Sequence, residues 1–348
     1  MQEQPETVIA GPVDFDPAVL VTYLTGRFGA ANLSLERISG GQSNPTYFVG
    51  WGERQMVLRK QPNGPILRGA HAIDREHRVL EALAPTGVPV PVPLLYERDA
   101  EILGTPFYLM QRLQGRVFHD AALPGMDIAE RHDIYMAMAD VMAKLHAVDP
   151  SSVGLGDFGR PGNYFERQIA RWTSQLEQST GDVVPHLADV GKWLGERVPA
   201  DDGRVAIAHG DYRLGNLIFH PDRAEVIGIL DWELATLGHP LADLGYCCIP
   251  WHTTPDEYGG ILGMQSATAG IPTQAEFTAR YFAQSAAGGR LDPFHVVFSL
   301  FRFAVIFIGV VDRARAGNAA AADAAKLAPM AARLAVRARE IINGERAW

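Results

Sequence analysis

Ala208-His209-Gly210-Asp211-Tyr212-Arg213-Leu214-Gly215-Asn216-Leu217-Ile218-Phe219 is followed, after a short turn, by Ile227-Gly228-Ile229-Leu230-Asp231-Trp232-Glu233. These two stretches decide the fold. Leu217–Phe219 and Val226–Leu230 have the apolar, β-branched character of short strands. Asp211 and Asn216 stand 216 − 211 = 5 residues apart, across a glycine-containing loop that enters the first strand. Asp231 closes the second strand, 231 − 216 = 15 residues further on. Hard oxygen ligands on two paired strand ends suit Mg²⁺ while a second carboxylate faces a hydroxyl. Phosphoryl transfer asks for that division: one Asp to orient or deprotonate the acceptor, an Asn and an Asp for metal. A lone Asp is commonly a turn or cap residue. Two Asp, an Asn and a His, each at a strand edge, exceed what turns require.

Working outward, the chain of 348 residues is long enough for about two domains or lobes. Before the decisive stretch, Asp16-Pro17 opens a short helix that Gly29 closes. Three β-like runs follow, Leu33–Ser39, Thr46–Trp51 and Gln55–Lys60, separated by Gly40-Gly41-Gln42-Ser43-Asn44-Pro45 and Gly52-Glu53-Arg54. This spacing predicts an antiparallel meander. A helix is expected over His71–Leu83, and Val92–Tyr96 and Phe107–Leu113 complete a small sheet. From about residue 120 helical patterns dominate, at Ile128–Ala147, Tyr164–Glu177, Leu187–Arg197 and from Ala275 onward. The expected division is therefore a sheet-rich part, 1–112, and a mainly helical part, 113–348.

Apolar residues make up 47 % and charged residues 20 %, ordinary values for a folded chain. The net charge is 31 − 40 = −9. This argues against nucleic acid as the main partner. Cys247 and Cys248 are adjacent, so they cannot staple distant segments, and they read as buried thiols in a reducing compartment. The N-terminus carries Glu3 and Glu6 and no basic n-region, unlike a signal peptide. Phe294–Val311 is nearly all apolar, but Arg302 near its middle and the Asp292-Pro293 start predict a buried core helix rather than a membrane span. A cytoplasmic protein is expected. Gly154-Leu155-Gly156-Asp157-Phe158-Gly159 matches a dinucleotide-binding pattern, yet it follows a loop and precedes Pro161-Gly162, so the required strand and helix are missing. Its letters DFG lie upstream of the candidate catalytic loop, whereas a kinase metal-binding signature follows it. There is no G-x-x-x-x-G-K-[ST] P-loop.

HGDYRLGN followed by ILDWE resembles the signature of the aminoglycoside phosphotransferase family, a branch of the protein-kinase-like superfamily. The resemblance runs from about Leu33 to Val311. It implies an α+β, bilobal, kinase-like fold with a small antiparallel N-terminal sheet and one key helix. It implies ATP and Mg²⁺ as cofactors, Asp211 as catalytic base, and Asn216 and Asp231 as metal ligands. His209 would support the catalytic loop from behind, and Asp243 would brace it. In the N-terminal part, the loop containing Ser43 would cover the triphosphate. Kinases place a cation for the phosphates where Val57-Leu58-Arg59-Lys60 ends. Glu76, 76 − 60 = 16 residues beyond Lys60, is the expected ion-pair partner. Alternation puts Arg59 and Lys60 on opposite faces, so one of them points at the nucleotide. Alignment on the family pattern favours Arg59 over Lys60. Met110 is expected near the adenine, with Gln111 to Leu113 offering backbone hydrogen bonds.

For the acceptor, LRKQPNG, AHAIDREHRVLEAL, VPVPVP and FYLMQRLQGRVF, with the catalytic run, resemble a subgroup. It includes the kinase domain fused to some acyl-CoA dehydrogenases. That implies a small-molecule hydroxyl acceptor, a hydroxyacyl-CoA. The alternatives are an aminoglycoside or other amino-alcohol, and a nucleotide-binding pseudokinase. Arg302 and Arg313, on one apolar helix, either meet an anionic acceptor or pair with buried carboxylates.

Overall fold

The computed structural model describes residues 6–38, 44–64, 72–160, 162–181, 183–264, 268–285, 289–315 and 321–345. Ser43 lies outside the described residues, as does most of the glycine-rich loop around it. The architecture is α+β, in two compact units. One comprises Met1–Arg116, Ile218–Pro221 and Ile227–Glu233; the other comprises Val117–Leu217, Asp222–Val226 and Leu234–Trp348.

The first unit is built on a six-stranded sheet: β1 (Thr7–Ala10), β2 (Leu33–Arg37), β3 (Thr46–Trp51), β4 (Arg54–Lys60), β5 (Pro93–Glu97) and β6 (Phe107–Gln111), in the order β1-β2-β3-β4-β6-β5. Its helices are α1 (Pro17–Phe28), α2 (Ile73–Leu83) and the short α3 (Ala100–Leu103). Asp16 caps α1 by accepting from the Ala18 N–H at 2.9 Å, and Gly29 ends it with φ +83°. The sheet is antiparallel except at its edge, where β1 runs parallel to β2. The antiparallel meander expected from Leu33 onward is present; the sequence reading did not include the parallel edge strand β1. All four residues of β1 are exposed, so they carry no alternation to read. On one face of the sheet Leu33, Leu35, Tyr47, Val49, Met56, Leu58, Phe107 and Leu109 close a core with Leu20 and Leu24 of α1.

Residues 113–116, 218–221 and 227–233 fall beyond a division at residue 112, yet they group with the first unit. Backbone pairing explains this. Arg116 and Phe219 exchange two N–H···O bonds of 2.8 Å, and the Ile229 N–H donates to Pro89 O at 2.9 Å. Strands Leu217–Phe219 and Val226–Ile229 pair with each other. Gly115 permits the approach, because a Cβ there would stand 2.1 Å from Phe219 O.

The second unit contains α4 (Ile128–His146), α5 (Tyr164–Glu177), α6 (Leu187–Gly195), β7 (Ala206–Ala208), then β10 (Thr236–Gly238) after the pair β8 (Leu217–Phe219) and β9 (Val226–Ile229), α7 (Pro240–Cys247), α8 (Gln274–Gln284), α9 (Pro293–Arg315) and α10 (Ala321–Ile342). β7 and β10 pair antiparallel. α9 is long and apolar enough to cross a membrane, but every residue from Phe294 to Val305 is buried. It packs against α5, α6, α7 and α10 as the central helix of the unit. Cys247 and Cys248 are free and buried, and burial raises both thiol pKa values.

Candidate active site

In the first unit, strand alternation separates Arg59 from Lys60. Lys60 shares a face with Met56 and Leu58, is fully buried, and donates to Asp14 Oδ2 at 3.0 Å and Asn63 Oδ1 at 3.1 Å. Arg59 shares the opposite face with Val57, where α2 presents Glu76. Its Nη2 donates to Asp231 Oδ1 at 2.8 Å, and its Nε lies 2.9 Å from Glu76 Oε2. Of the two cations the sequence left open as partner of Glu76, the one that pairs with it is Arg59. Glu76 also accepts from Asn44 Nδ2 at 2.8 Å and from the Tyr108 hydroxyl at 3.1 Å. Tyr108 is held opposite Arg59 by the β4–β6 register. Burial pushes the Glu76 carboxyl up to about 7, against the pull of Arg59.

Two features mark this cluster as more than a structural pair. Arg59 is held by two carboxylates at once, Glu76 at 2.9 Å and Asp231 at 2.8 Å. Asp231 has φ +65°, a left-handed conformation that Asp tolerates better than most residues and that collects at functional sites. An anion placed beside Arg59 would meet an always-charged, fork-shaped group, which suits phosphate.

The same sheet face continues from Arg59 into Val57 and Met110, which oppose each other across β4 and β6 and are both buried. Beyond β6, the chain lies close on β9: a Cβ on Gly228 would stand 2.3 Å from Leu113 Cδ1. The Gln111 N–H donates to Val92 O at 2.8 Å and the Arg112 N–H to Gln55 O at 3.2 Å. Gln111 therefore has no free backbone N–H for a base, contrary to the sequence expectation. Of the expected backbone donors, Leu113 remains.

In the second unit, the loop from His209 to Asn216 is clamped by Asp243 of α7. Its Oδ2 accepts from the His209 N–H at 2.6 Å and its Oδ1 from the Gly210 N–H at 2.8 Å. Burial alone would raise the Asp243 pKa, but His146 (Nε2 3.3 Å away), His209 and the Gly210 N–H hold it below its ordinary value. Gly210 has φ +83°, and a Cβ would meet Leu234 O at 2.8 Å, so only glycine fits. His209 is buried and its Nδ1 accepts from the Asp211 N–H at 3.2 Å. Asn216 Nδ2 donates to Asp211 O at 2.9 Å and to Asp211 Oδ2 at 2.8 Å. The loop thus presents one carboxylate in a fixed orientation.

Residues that sequence reasoning did not assign complete this arrangement. The Tyr246 hydroxyl donates to Asp211 Oδ1, and the Tyr258 hydroxyl lies 2.9 Å from that of Tyr246. Arg213 Nε is 3.4 Å from the Asp211 carboxylate. Burial raises the Tyr246 pKa well above its ordinary value, so it stays a proton donor. Tyr246 lies three residues after Asp243 on α7, a spacing that puts both on the same helix side. Tyr258 has φ +69°, strained for an aromatic residue and invisible in the sequence.

Among the described residues no three or more His, Cys, Asp or Glu side chains are grouped to hold a metal. Mg²⁺ in phosphoryl transfer needs less, binding through one or two protein oxygens together with substrate phosphates. Both nominated ligands suit that chemistry. Asn216 uses its amide nitrogen on Asp211, which leaves Oδ1 for a cation, and Asp231 engages Arg59 through Oδ1, which leaves Oδ2.

Comparison with known proteins agrees with this chemistry. The sequence pattern of the phosphotransferase enzyme family matches residues 34–291. Mouse acyl-CoA dehydrogenase family member 10 is 40 % identical over 316 residues, covering 88 % of this chain. The chain spans only 29 % of that protein's length. A crystal structure of a Ralstonia eutropha protein, assigned provisionally to the aminoglycoside phosphotransferases, superposes with a TM-score of 0.85 at 40 % identity, covering 95 % of this chain and 99 % of that one. A thermostable mutant of an aminoglycoside phosphotransferase, in ternary complex with AMP-PNP and hygromycin B, shares the fold with a TM-score of 0.60 at 18 % identity, covering 94 % of this chain and 99 % of that one. The chain belongs to the phosphotransferase enzyme family and has its bilobal, kinase-like fold.

Proposed function

We propose that this phosphotransferase moves the γ-phosphoryl group of ATP to a hydroxyl of a small molecule, and that the acceptor is a hydroxyacyl-CoA. The observation that carries the chemistry is the Asp211 carboxylate, held at once by the Asn216 amide and the Tyr246 hydroxyl on a loop clamped by Asp243. In this reading Asp211 orients the acceptor hydroxyl and takes its proton as the new O–P bond forms. Arg59, braced by Glu76, faces the phosphates. Asn216 and Asp231 hold Mg²⁺, which offsets charge on the transferring group. Val57, Met110 and the Leu113 backbone form the adenine site. AMP-PNP in the aminoglycoside phosphotransferase complex supports ATP as the nucleotide.

The likeness to a chain carrying the name of an acyl-CoA dehydrogenase supports the acyl-CoA acceptor over an antibiotic. The test is a panel of hydroxyacyl-CoAs and aminoglycosides incubated with protein, ATP and Mg²⁺ and read by mass spectrometry. A gain of about 80 Da, one phosphoryl group, is expected on a hydroxyacyl-CoA. A gain on aminoglycosides alone would overturn the acceptor assignment while leaving the kinase chemistry intact.

A further inference from the structure

Tyr258 carries its aromatic side chain on a left-handed backbone, φ +69°, and Gly259 after it has φ +65°. A bulky residue stays in that region only where its surroundings impose it. Two arginines of α10 hold the residues just before it. Arg337 grips Glu257, the neighbour of Tyr258, with both arms of its fork: Nε donates to Oε2 at 2.7 Å and Nη2 to Oε1 at 2.9 Å. Arg333 Nη1 donates to the Asp256 carbonyl at 2.7 Å and to Asp256 Oδ2 at 2.8 Å. The two contacts differ in their surroundings. The Arg333 and Asp256 side chains are 42 % and 74 % exposed, so water competes for that contact. The Arg337 and Glu257 side chains are 15 % and 11 % exposed, and a two-pronged pair fixes orientation as well as contact. Burial alone would raise the Glu257 pKa, but Arg337 and the Thr254 N–H hold it below its ordinary value.

Beyond Glu257, the contacts lead to the carboxylate proposed to act on the acceptor. The Tyr258 ring lies against Phe303 and Phe307 of α9, with centroids 5.4 Å and 5.5 Å away. Its hydroxyl is 2.9 Å from that of Tyr246. Tyr246 has one proton and directs it to Asp211 Oδ1, so the proton between the two phenols is that of Tyr258. Tyr258 thus donates to Tyr246, and Tyr246 to Asp211. A phenol that receives a hydrogen bond is a better donor of its own, so the two bonds reinforce each other. Phe303 stacks on Tyr246 at 4.5 Å with ring planes 9° apart, and so packs against both phenols.

We propose that Arg337 is a positioning residue for Asp211: its fork on Glu257 holds Tyr258 in the left-handed conformation from which the phenol reaches Tyr246, and the two phenols together set the direction of the carboxylate. The helix α10 then serves the reaction as well as packing on α9. The proposal goes beyond the kinase reading by assigning a group outside the site, and rests on that reading only for the part Asp211 plays in transfer. Loss of the fork lets the backbone at Tyr258 relax out of the left-handed region, which carries its phenol away from Tyr246. Tyr246 then faces Asp211 without a donor of its own. The consequence falls on orientation, and so on the rate of transfer more than on nucleotide binding.

The test follows Tyr246 directly, by NMR of the full chain labelled with carbon-13 at tyrosine Cζ and assigned with Tyr246→Phe and Tyr258→Phe. The Tyr246 Cζ resonance reports the hydrogen bonding of its phenol. In Arg337→Met it is expected to move from the wild-type position toward the one it takes in Tyr258→Phe, with Arg337→Lys between. Arg280→Met, which removes the ion pair of α8 with Asp140 of α4, should leave it in place. A Tyr246 resonance that stays put in Arg337→Met, or moves away from the Tyr258→Phe position, would overturn the proposal. Glu257→Gln breaks the same link from its other end and gives the same reading should Arg337→Met not fold. Kinetics with ATP, Mg²⁺ and hydroxybutyryl-CoA give a second readout. We expect kcat about 10-fold lower in Arg337→Met and in Tyr258→Phe, KM for ATP within about twofold, and no further loss in the double variant. Unchanged kcat in Arg337→Met, or losses that multiply to about 100-fold in the double variant, would show that Arg337 does not act through Tyr258 and would overturn the proposal too. A wild-type protein that leaves hydroxybutyryl-CoA unphosphorylated would count against the acceptor assignment alone, and the Tyr246 resonance would still decide the place of Arg337.

Discussion

At the scale of single residues, neighbouring side chains on β4 have opposite assignments. Arg59 faces Glu76 and Asp231, whereas Lys60 is enclosed by Asp14 and Asn63. Arg59→Met is therefore expected to raise KM for ATP by about 10-fold or more, as a charged contact to phosphate is lost. Lys60→Met should leave KM for ATP unchanged and lower Tm instead, since it strips a buried partner from Asp14. Steady-state kinetics with thermal unfolding separates the two, and the reverse pattern would place Lys60 at the phosphates. Glu76 adds a pH dependence. Burial raises its carboxyl pKa from 4.5 to about 7 in the folded chain. The folded protein then holds a proton that the unfolded chain has released across this window. Glu76 contributes stability fully present below about 4.5 and lost as pH rises through about 7. Relative to Glu76→Gln, whose side chain does not titrate, the wild-type Tm should fall between pH 5 and pH 8 (roughly the window bounding that shift). A constant difference in Tm would show that Arg59 holds the carboxylate ionised throughout.

At the scale of elements, the strands and helices with strong alternation or helical period were legible in the sequence. β2 through β6 and the long helices α4, α5 and α9 follow from Leu33/Leu35, from Met56/Leu58 and from the apolar run around Arg302. The loop proposed as catalytic was legible too, because Asp211, Asn216, Asp231 and Asp243 sit in a compact motif. Three features were not. β1 is a fully exposed edge strand, held by the Leu33 N–H to Glu6 O bond of 3.0 Å, and no pattern announces it. The Gln111 N–H is taken by Val92, next to a register shift between Pro93 and Leu95 in the β5–β6 pairing. Tyr258 reaches Tyr246 through a left-handed backbone, a tertiary effect that local propensity disfavours. Element contacts also give a prediction of their own. Gly115→Ala would set a methyl group 2.1 Å from Phe219 O, a backbone atom that cannot turn aside. Destabilisation of about 1–3 kcal/mol is expected in denaturant unfolding. An unchanged midpoint would show that the backbone at Gly115 yields.

At the scale of the whole molecule, a net charge of −9 says little about a polyanionic nucleotide, because the binding is local. Arg59 supplies one cation at the phosphates and Mg²⁺ the rest in the proposed reaction. Chelation of divalent metal should abolish transfer, with Mg²⁺ restoring it; transfer that persists through chelation would remove Asn216 and Asp231 from their proposed role. The central claim is that Asp211 is the group that engages the acceptor hydroxyl. Asp211→Asn keeps the size of the side chain and a partner for Tyr246 but cannot take a proton. Mass-spectrometric measurement of acceptor phosphorylation, with ATP binding measured on the same protein, tests it most directly. The account predicts transfer reduced by about 100-fold or more with ATP affinity unchanged; transfer at the wild-type rate would contradict it.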